Sequence, residues 1–297
     1  MFKGLSAFPL TPLSNDSLDE DSYVGLIERL RDARVDSITA LGSTGSYAYL
    51  TKEERRRTAH LAVQHAGNVP VFVGVGALRT SHVLANVEAA EEAGASGVLL
   101  APMTYQPLTE EDVFELFRTV TARSSLPVIV YDNPATTHFT FSAGLYGRIA
   151  QLPRIASIKI PGSPDRQVLK KRVQEIRSLV PDHVSIGISG DSNAAAGLSA
   201  GCDAWYSVVG GTLPGIAQRI TQAALSGQHT EAAAETERLE PLWRLFAEFG
   251  GSLRVVAAVA EQLGLGPAKS LPLPIQGLSP EQRARVAGVI EELGLGI

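Results

Sequence analysis

Short runs of apolar and β-branched residues recur along the chain at intervals of roughly 25 to 35 residues, the length of a strand-plus-helix unit. They occupy residues 4–10, 37–41, 69–75, 97–102, 127–131, 155–160, 184–189 and 204–208. Most are near-continuous and not alternating, the pattern of parallel strands covered on both faces. Helical patterns lie between them, and two have recognisable starts. Thr51-Lys52-Glu53-Glu54 and Thr109-Glu110-Glu111-Asp112 each place a hydroxyl three residues ahead of an acid, the signature of a capping box. Ser192, after Gly190-Asp191, predicts the cap of the helix that follows the seventh run. Beyond the eighth run only helical patterns remain, at 215–225, 230–249 and 253–263, then a Pro-rich connector and a last one at 281–293.

Eight βα units with no break in composition favour a closed α/β barrel, the (β/α)8 TIM barrel, over an open doubly wound sheet, although periodicity alone fits either. The expected organisation is a barrel over residues 1–226, with a C-terminal helical extension over 227–297 packed on it. A length of 297 residues fits one such barrel. The hydrophobic fraction of 44% is enough to fill its core.

Charge narrows the partners. A net charge of −5 argues against nucleic acid, whose phosphates need a basic face, and leaves room for a small anionic substrate. Cys202 is the only cysteine, which excludes an internal disulfide and thiol-rich metal sites. The apolar part of the first ten residues is too short for a signal peptide, and no run approaches a membrane span. The expectation is a cytoplasmic protein with no membrane partner.

In barrels of this kind the chemistry sits at the C-terminal ends of the strands, which reduces the search to eight short windows. Lys159 stands out, inside the run Ile155-Ala156-Ser157-Ile158-Lys159-Ile160. An unpaired ammonium is costly to bury; desolvation lowers its pKa, and the neutral amine attacks a ketone to form an imine. The bland reading is a structural lysine paired with a barrel carboxylate, or one reaching solvent. Tyr131 lies 28 residues earlier, at the end of the preceding run. A barrel places the two side by side, where a phenol can move protons; taken alone, it reads as rim packing. Ser43-Thr44-Gly45 offers hydroxyls and backbone N–H groups suited to a carboxylate, or simply a turn that caps the next helix.

Other chemistries find little support. The six histidines, His60, His65, His82, His138, His183 and His229, show no metal-ligand spacing. Neither a Walker loop nor a dinucleotide fingerprint is present, and Val73-Gly74-Val75-Gly76 reads as a strand end. Asp191 reads as a capping acid, Trp205 and Tyr206 as barrel packing, and Gly210-Gly211 as a tight turn.

Taken together these residues resemble the dihydrodipicolinate synthase and N-acetylneuraminate lyase family. The resemblance spans the chain, from Ser6-Ala7-Phe8-Pro9-Leu10-Thr11-Pro12 through Leu41-Gly42-Ser43-Thr44-Gly45 and Leu50-Thr51-Lys52-Glu53-Glu54-Arg55. It continues in Tyr131-Asp132-Asn133-Pro134, the Lys159 run and Ser189-Gly190-Asp191, and ends in the Pro-rich segment near Leu271. It implies a barrel with a helical extension, commonly a homo-oligomer (tetramer or dimer), using neither metal nor organic cofactor. It also implies a lyase in which Lys159 forms an imine with pyruvate or another 2-oxo acid. Lys159, Tyr131 and Ser43 would be catalytic; Ser43, Thr44, Gly45, Thr136, His138, Ser189 and Gly190 would bind substrate.

Three positions depart from the family pattern. Ser46 stands where many members carry glutamate, and Thr136 where authentic dihydrodipicolinate synthases carry an arginine that meets a substrate carboxylate. Thr104 stands where a relay tyrosine usually lies, with Tyr105 one position away. A hydroxyl cannot replace the bidentate fork of a guanidinium. The expected function is therefore a Schiff-base lyase, of aldolase or dehydratase type, with an acceptor pocket re-cut by Ser46, Thr104, Thr136 and His138. Two alternatives stand beside it: an authentic synthase condensing pyruvate with aspartate semialdehyde, and a non-catalytic ligand-binding descendant.

Overall fold

Parallel strands, each buried on both faces, ring the centre of the molecule in the computed structural model, which describes residues 1–296. Strand β1 (Gly4–Ala7) is followed by a short hairpin of β2 (Leu13–Ser14) and β3 (Ser17–Leu18). The remaining strands are β4 (Ser37–Ala40), β5 (Val71–Gly74), β6 (Gly97–Leu100), β7 (Val128–Tyr131), β8 (Ile155–Pro161), β9 (Ser185–Ser189) and β10 (Ala204–Ser207). β1 pairs in parallel with both β4 and β10, which closes the eight into a barrel.

The helices between the strands are α1 (Glu20–Asp32), α2 (Lys52–His65), α3 (Thr80–Glu92), α4 (Glu110–Arg123), α5 (Pro134–Thr137), α6 (Ala143–Ala150), α7 (Arg166–Leu179), α8 (Ala194–Ser199) and α9 (Pro214–Leu225). The fold is a (β/α)8 barrel. Both expected capping boxes form: Glu54 accepts from the Thr51 N–H at 2.8 Å, and Asp112 from that of Thr109 at 2.8 Å. Each satisfies backbone donors that the first helical turn leaves free.

Phe72, Leu99, Ile129, Tyr131, Ala204 and Tyr206 fill the barrel interior, and Phe2 stacks on Phe72 at 4.9 Å at its N-terminal end. Polar side chains inside the barrel pair with one another, as buried groups must. Ser157 Oγ lies 2.6 Å from the Tyr206 hydroxyl, and Ser185 donates to Ser157 at 2.8 Å. Cys202, 3% exposed, lies in the turn between α8 and β10; burial, assisted by the charge of Asp203 and opposed by Arg177, pushes its thiol up to about 12.

Four local expectations change. The first strand stops at Ala7, because Pro9 has no N–H to extend the ladder. The hairpin β2–β3 was not foreseen; Asn15 and Asp16 both take positive φ (51° and 61°) in its two-residue turn, which Asn and Asp tolerate. The helix expected over 230–249 is two, α10 (His229–Arg238) and α11 (Glu240–Glu248), since Pro241 belongs in a first turn. Ser192 caps nothing: a 3-10 turn Asp191–Asn193 precedes α8, whose N-cap Asn193 makes no side-chain capping bond.

After α11 come α12 (Ser252–Gln262) and α13 (Pro280–Glu292). α12 packs Val256, Ala257 and Ala260 with Leu10 and Leu26, so the C-terminal helices lie against the barrel. Ile297, the last residue of the expected extension, lies outside the described residues. No helix among the described residues is long and apolar enough to cross a membrane.

Gly74, at the end of β5, leaves no room for a side chain: a Cβ there would sit 1.8 Å from the Leu41 carbonyl oxygen. Leu41, itself at φ 56°, opens the loop that carries Ser43. Gly74→Ala is therefore expected to cost about 1–3 kcal/mol in urea denaturation and to lower activity by shifting that loop. Unchanged stability and activity would mean that the loop yields freely.

Candidate active site

Strand register brings Lys159 and Tyr131 together. They are direct partners across β7 and β8, and Lys159 faces Gly187 on β9. Lys159 is 4% exposed, and its Nζ lies 4.2 Å from the centroid of the Tyr131 ring. Burial pulls the amine below its ordinary pKa; the charges of Tyr131, Asp132 and Asp191 oppose this without reversing it. Both carboxylates have other partners. Asp132 accepts from the Tyr146 hydroxyl and, at 3.0 Å, from Arg172. Asp191 accepts from Trp205 Nε1 (3.1 Å), Ser207 Oγ (3.3 Å) and the N–H groups of Val208 (3.2 Å) and Val209 (2.7 Å). No ion pair with Lys159 forms among the described residues.

The Tyr131 hydroxyl receives a hydrogen bond from Asn133 Nδ2 at 3.1 Å and lies 3.4 Å from Thr136 Oγ1. Burial raises the phenol, but the charge of Lys159 and the polar side chains of Ser43, Thr136 and Asn133 beside it outweigh burial and leave Tyr131 below the ordinary tyrosine value. An amine drawn down and a phenol drawn down beside it titrate as an interacting pair.

The loop after β4 supplies the hydroxyls. Thr44 and Ser46 are buried and Ser43 is half-buried, with Ser46 in the left-handed region at φ 53°. Gly45 is held close: a Cβ there would lie 3.1 Å from Thr11 Oγ1 and 3.2 Å from the Leu41 N. Tyr47, in the 3-10 turn Tyr47–Tyr49, follows with its ring 5.3 Å from the guanidinium carbon of Arg55. Arg55 in turn donates to the carbonyls of Gly74 (2.9 Å) and Gly76 (3.0 Å). Burial raises the Tyr47 phenol and lowers Arg55 to about 10.

The other expected residues fall into place unevenly. Ser189 donates to the Ile160 carbonyl at 3.0 Å, so its proton is occupied. Gly190 sits at φ 84° beside Asn193. Thr136 reaches Tyr131, whereas His138 is exposed at φ 54°, with no side-chain bond to Tyr131 or Lys159 among the described residues. The Thr104 hydroxyl is buried without a partner, and Tyr105 is 88% exposed. Asp191 does not cap its own helix; it joins the end of β9 to the backbone after β10, and burial lifts its carboxyl to about 6 against the donors it accepts from Val209, Val208, Trp205 and Ser207.

Asn133, Tyr47 and the Asp132–Tyr146–Arg172 cluster escaped the sequence reading. Asn133-Pro134 is a turn-starting dipeptide, which marks a side chain placed just beyond the strand end. Tyr47 carries no such signal, because the inward face of a single 3-10 turn leaves no period. The assembled groups can add an amine to a carbonyl and pass protons to and from the adduct.

The model of the dihydrodipicolinate synthetase family matches residues 1–293. A crystal structure of dihydrodipicolinate synthase from Agrobacterium tumefaciens superposes with a TM-score of 0.94 at 42% identity, covering 98% of each chain. The one from Aquifex aeolicus gives 0.91 at 25% identity, covering 100% of this chain and 99% of its own. The 4-hydroxy-tetrahydrodipicolinate synthase of Phenylobacterium zucineum is 30% identical over 298 residues, covering 99% of this chain and 98% of its own. With the barrel closed, the whole length matched and a buried lysine at the strand ends, the chain belongs to the dihydrodipicolinate synthetase family and is a lyase of the Schiff-base type.

Proposed function

We propose that Lys159 forms the imine, with pyruvate or another 2-oxo acid, and that the second substrate is not aspartate semialdehyde. The observation that carries the first half is the buried amine at 4% exposure, set in register with Tyr131 and without a carboxylate ion pair among the described residues. A desolvated neutral amine is the nucleophile this chemistry needs. Ser43, Thr44 and Gly45 hold the carboxylate of the 2-oxo acid, and Tyr131 carries protons to and from the carbinolamine oxygen. Thr136 supports the second half. It is an exposed hydroxyl occupied with Tyr131 and the Asn133 carbonyl, and it cannot offer the paired N–H donors with which a guanidinium holds a carboxylate.

The names of the relatives favour a second reading, the authentic synthase. One experiment separates the two. The protein is reduced with borohydride in the presence of pyruvate, digested and mapped by mass spectrometry; the adduct is expected on Lys159. Unreduced enzyme is then offered pyruvate with aspartate semialdehyde and with aldehydes that lack a carboxylate. Turnover is expected with the latter. Efficient use of aspartate semialdehyde, with kcat/KM on the order of 10⁴ M⁻¹s⁻¹ or above, would establish the synthase reading instead. If no 2-oxo acid labels Lys159, the imine assignment fails.

A further inference from the structure

We propose that Asn133 is a positioning residue for Tyr131: its amide N–H, which can only donate, fixes the phenol oxygen as an acceptor and so prepares Tyr131 to take up a proton. This rests on the reading that Lys159 and Tyr131 carry the imine chemistry. Asn133 is the second residue beyond Tyr131 and the N-cap of α5, and its own carbonyl is heavily engaged. That carbonyl accepts from Thr136 Oγ1 (3.2 Å), Thr137 Oγ1 (3.0 Å) and the N–H groups of Thr136 and Thr137 (3.0 Å each). The backbone is thus locked, and the amide is held 3.1 Å from the phenol oxygen. Thr136 Oγ1 lies 3.2 Å from the same carbonyl and 3.4 Å from the phenol oxygen, so the donor-only amide of Asn133 is the nearer of the two contacts to the phenol. A hydrogen bond from a donor-only group favours the charged form of its acceptor, and the phenol lies below its ordinary range despite burial.

The proton in question is the one on C3 of the 2-oxo acid once it is bound as an iminium. The C3–H bond breaks and its electron pair becomes the C=C bond of the enamine. The C=N π pair moves to nitrogen, and the proton goes to the Tyr131 oxygen, which enters the step as phenolate and leaves it as phenol. From there it exchanges with water. The other groups acting on Tyr131 are Lys159 from β8, Ser43 and Tyr47 from the loop after β4, and Thr136 from α5. Arg55 stands behind Tyr47, and Asp132 and Asp191 act through Lys159. A substitution at 133 leaves all of them in place.

The test needs no acceptor substrate. Exchange of the pyruvate methyl protons for deuterium is followed by NMR across pH, and each rate is divided by the fraction of Lys159 trapped by borohydride at that pH. Asn133→Leu removes the donor and is expected to move the acid limb of the profile up by about one pH unit, a tenfold slower exchange below the limb. Asn133→Asp keeps the shape but sets an acceptor against the phenol, and is expected to move the limb further. Should the leucine variant fail to fold, the isosteric aspartate variant carries the comparison. A limb at the wild-type pH in a folded variant that still traps pyruvate overturns the proposal, even if the rate falls evenly at every pH. Failure of the wild type to trap pyruvate sinks the Lys159 assignment instead.

Discussion

Lys159→Met is expected to give no borohydride adduct with any 2-oxo acid and to lower kcat/KM by on the order of 10⁴-fold or more, because the whole covalent route is lost. The same substitution is expected to stabilise the fold. The amine sits below its unfolded value of 10.5, so folding at lower pH must either bury an ammonium or release its proton. That penalty is fully present below the depressed folded value and vanishes above 10.5. Wild-type stability contributed by this group is therefore present at high pH and lost as pH falls. The advantage of the methionine variant should grow as pH falls below 10.5 and level off below the depressed folded value, on the order of 1–3 kcal/mol. Urea denaturation at two pH values measures it. A variant less stable than wild type at both would identify Lys159 as a structural cation.

Tyr131→Phe is expected to slow adduct formation and turnover by about 10²- to 10⁴-fold, the contribution of a positioned acid–base group, while leaving Lys159 able to react given time. Two side chains lose a partner in this variant, those of Asn133 and Thr136. Asn133 is half-buried and Thr136 is exposed, so water can replace the phenol and stability should change little. Stopped-flow trapping with pyruvate reads the rate. A rate equal to wild type would remove Tyr131 from the proton path and leave Ser43 as the remaining hydroxyl at the site.

The barrel was legible because parallel strands leave a coarse mark: eight apolar runs at regular intervals, with Thr51 and Thr109 announcing helices between them. Lys159 was legible for the same reason, as a cation interrupting an apolar run. Failures came where a single residue overrode the period. Pro9 and Pro241 each moved an element boundary, and Ser192 was read as a cap by its residue type when the chain there turns through a 3-10 segment. Within the site, residues on strands could be placed from strand register. Asn133 and Tyr47 could not, because their positions depend on a four-residue helix and a 3-10 turn, whose side-chain directions are set by tertiary contacts. Asp191 was read as an acid near a helix start; its role in joining β9 to the segment after β10 depends on Trp205 and Val209, which only the closed barrel brings close.

The buried thiol of Cys202 has a practical consequence. Held at about 12, it presents almost no thiolate at neutral pH, so alkylating reagents leave the folded chain unmodified. A cysteine introduced at exposed Ala135 then becomes the single reactive position, a site for a fluorophore on the loop beside Tyr131 that needs no background substitution. Left as it is, Cys202 serves as an internal gauge of opening. It becomes reactive only when the packing over the turn between α8 and β10 opens, and its labelling rate counts those openings in the unaltered protein.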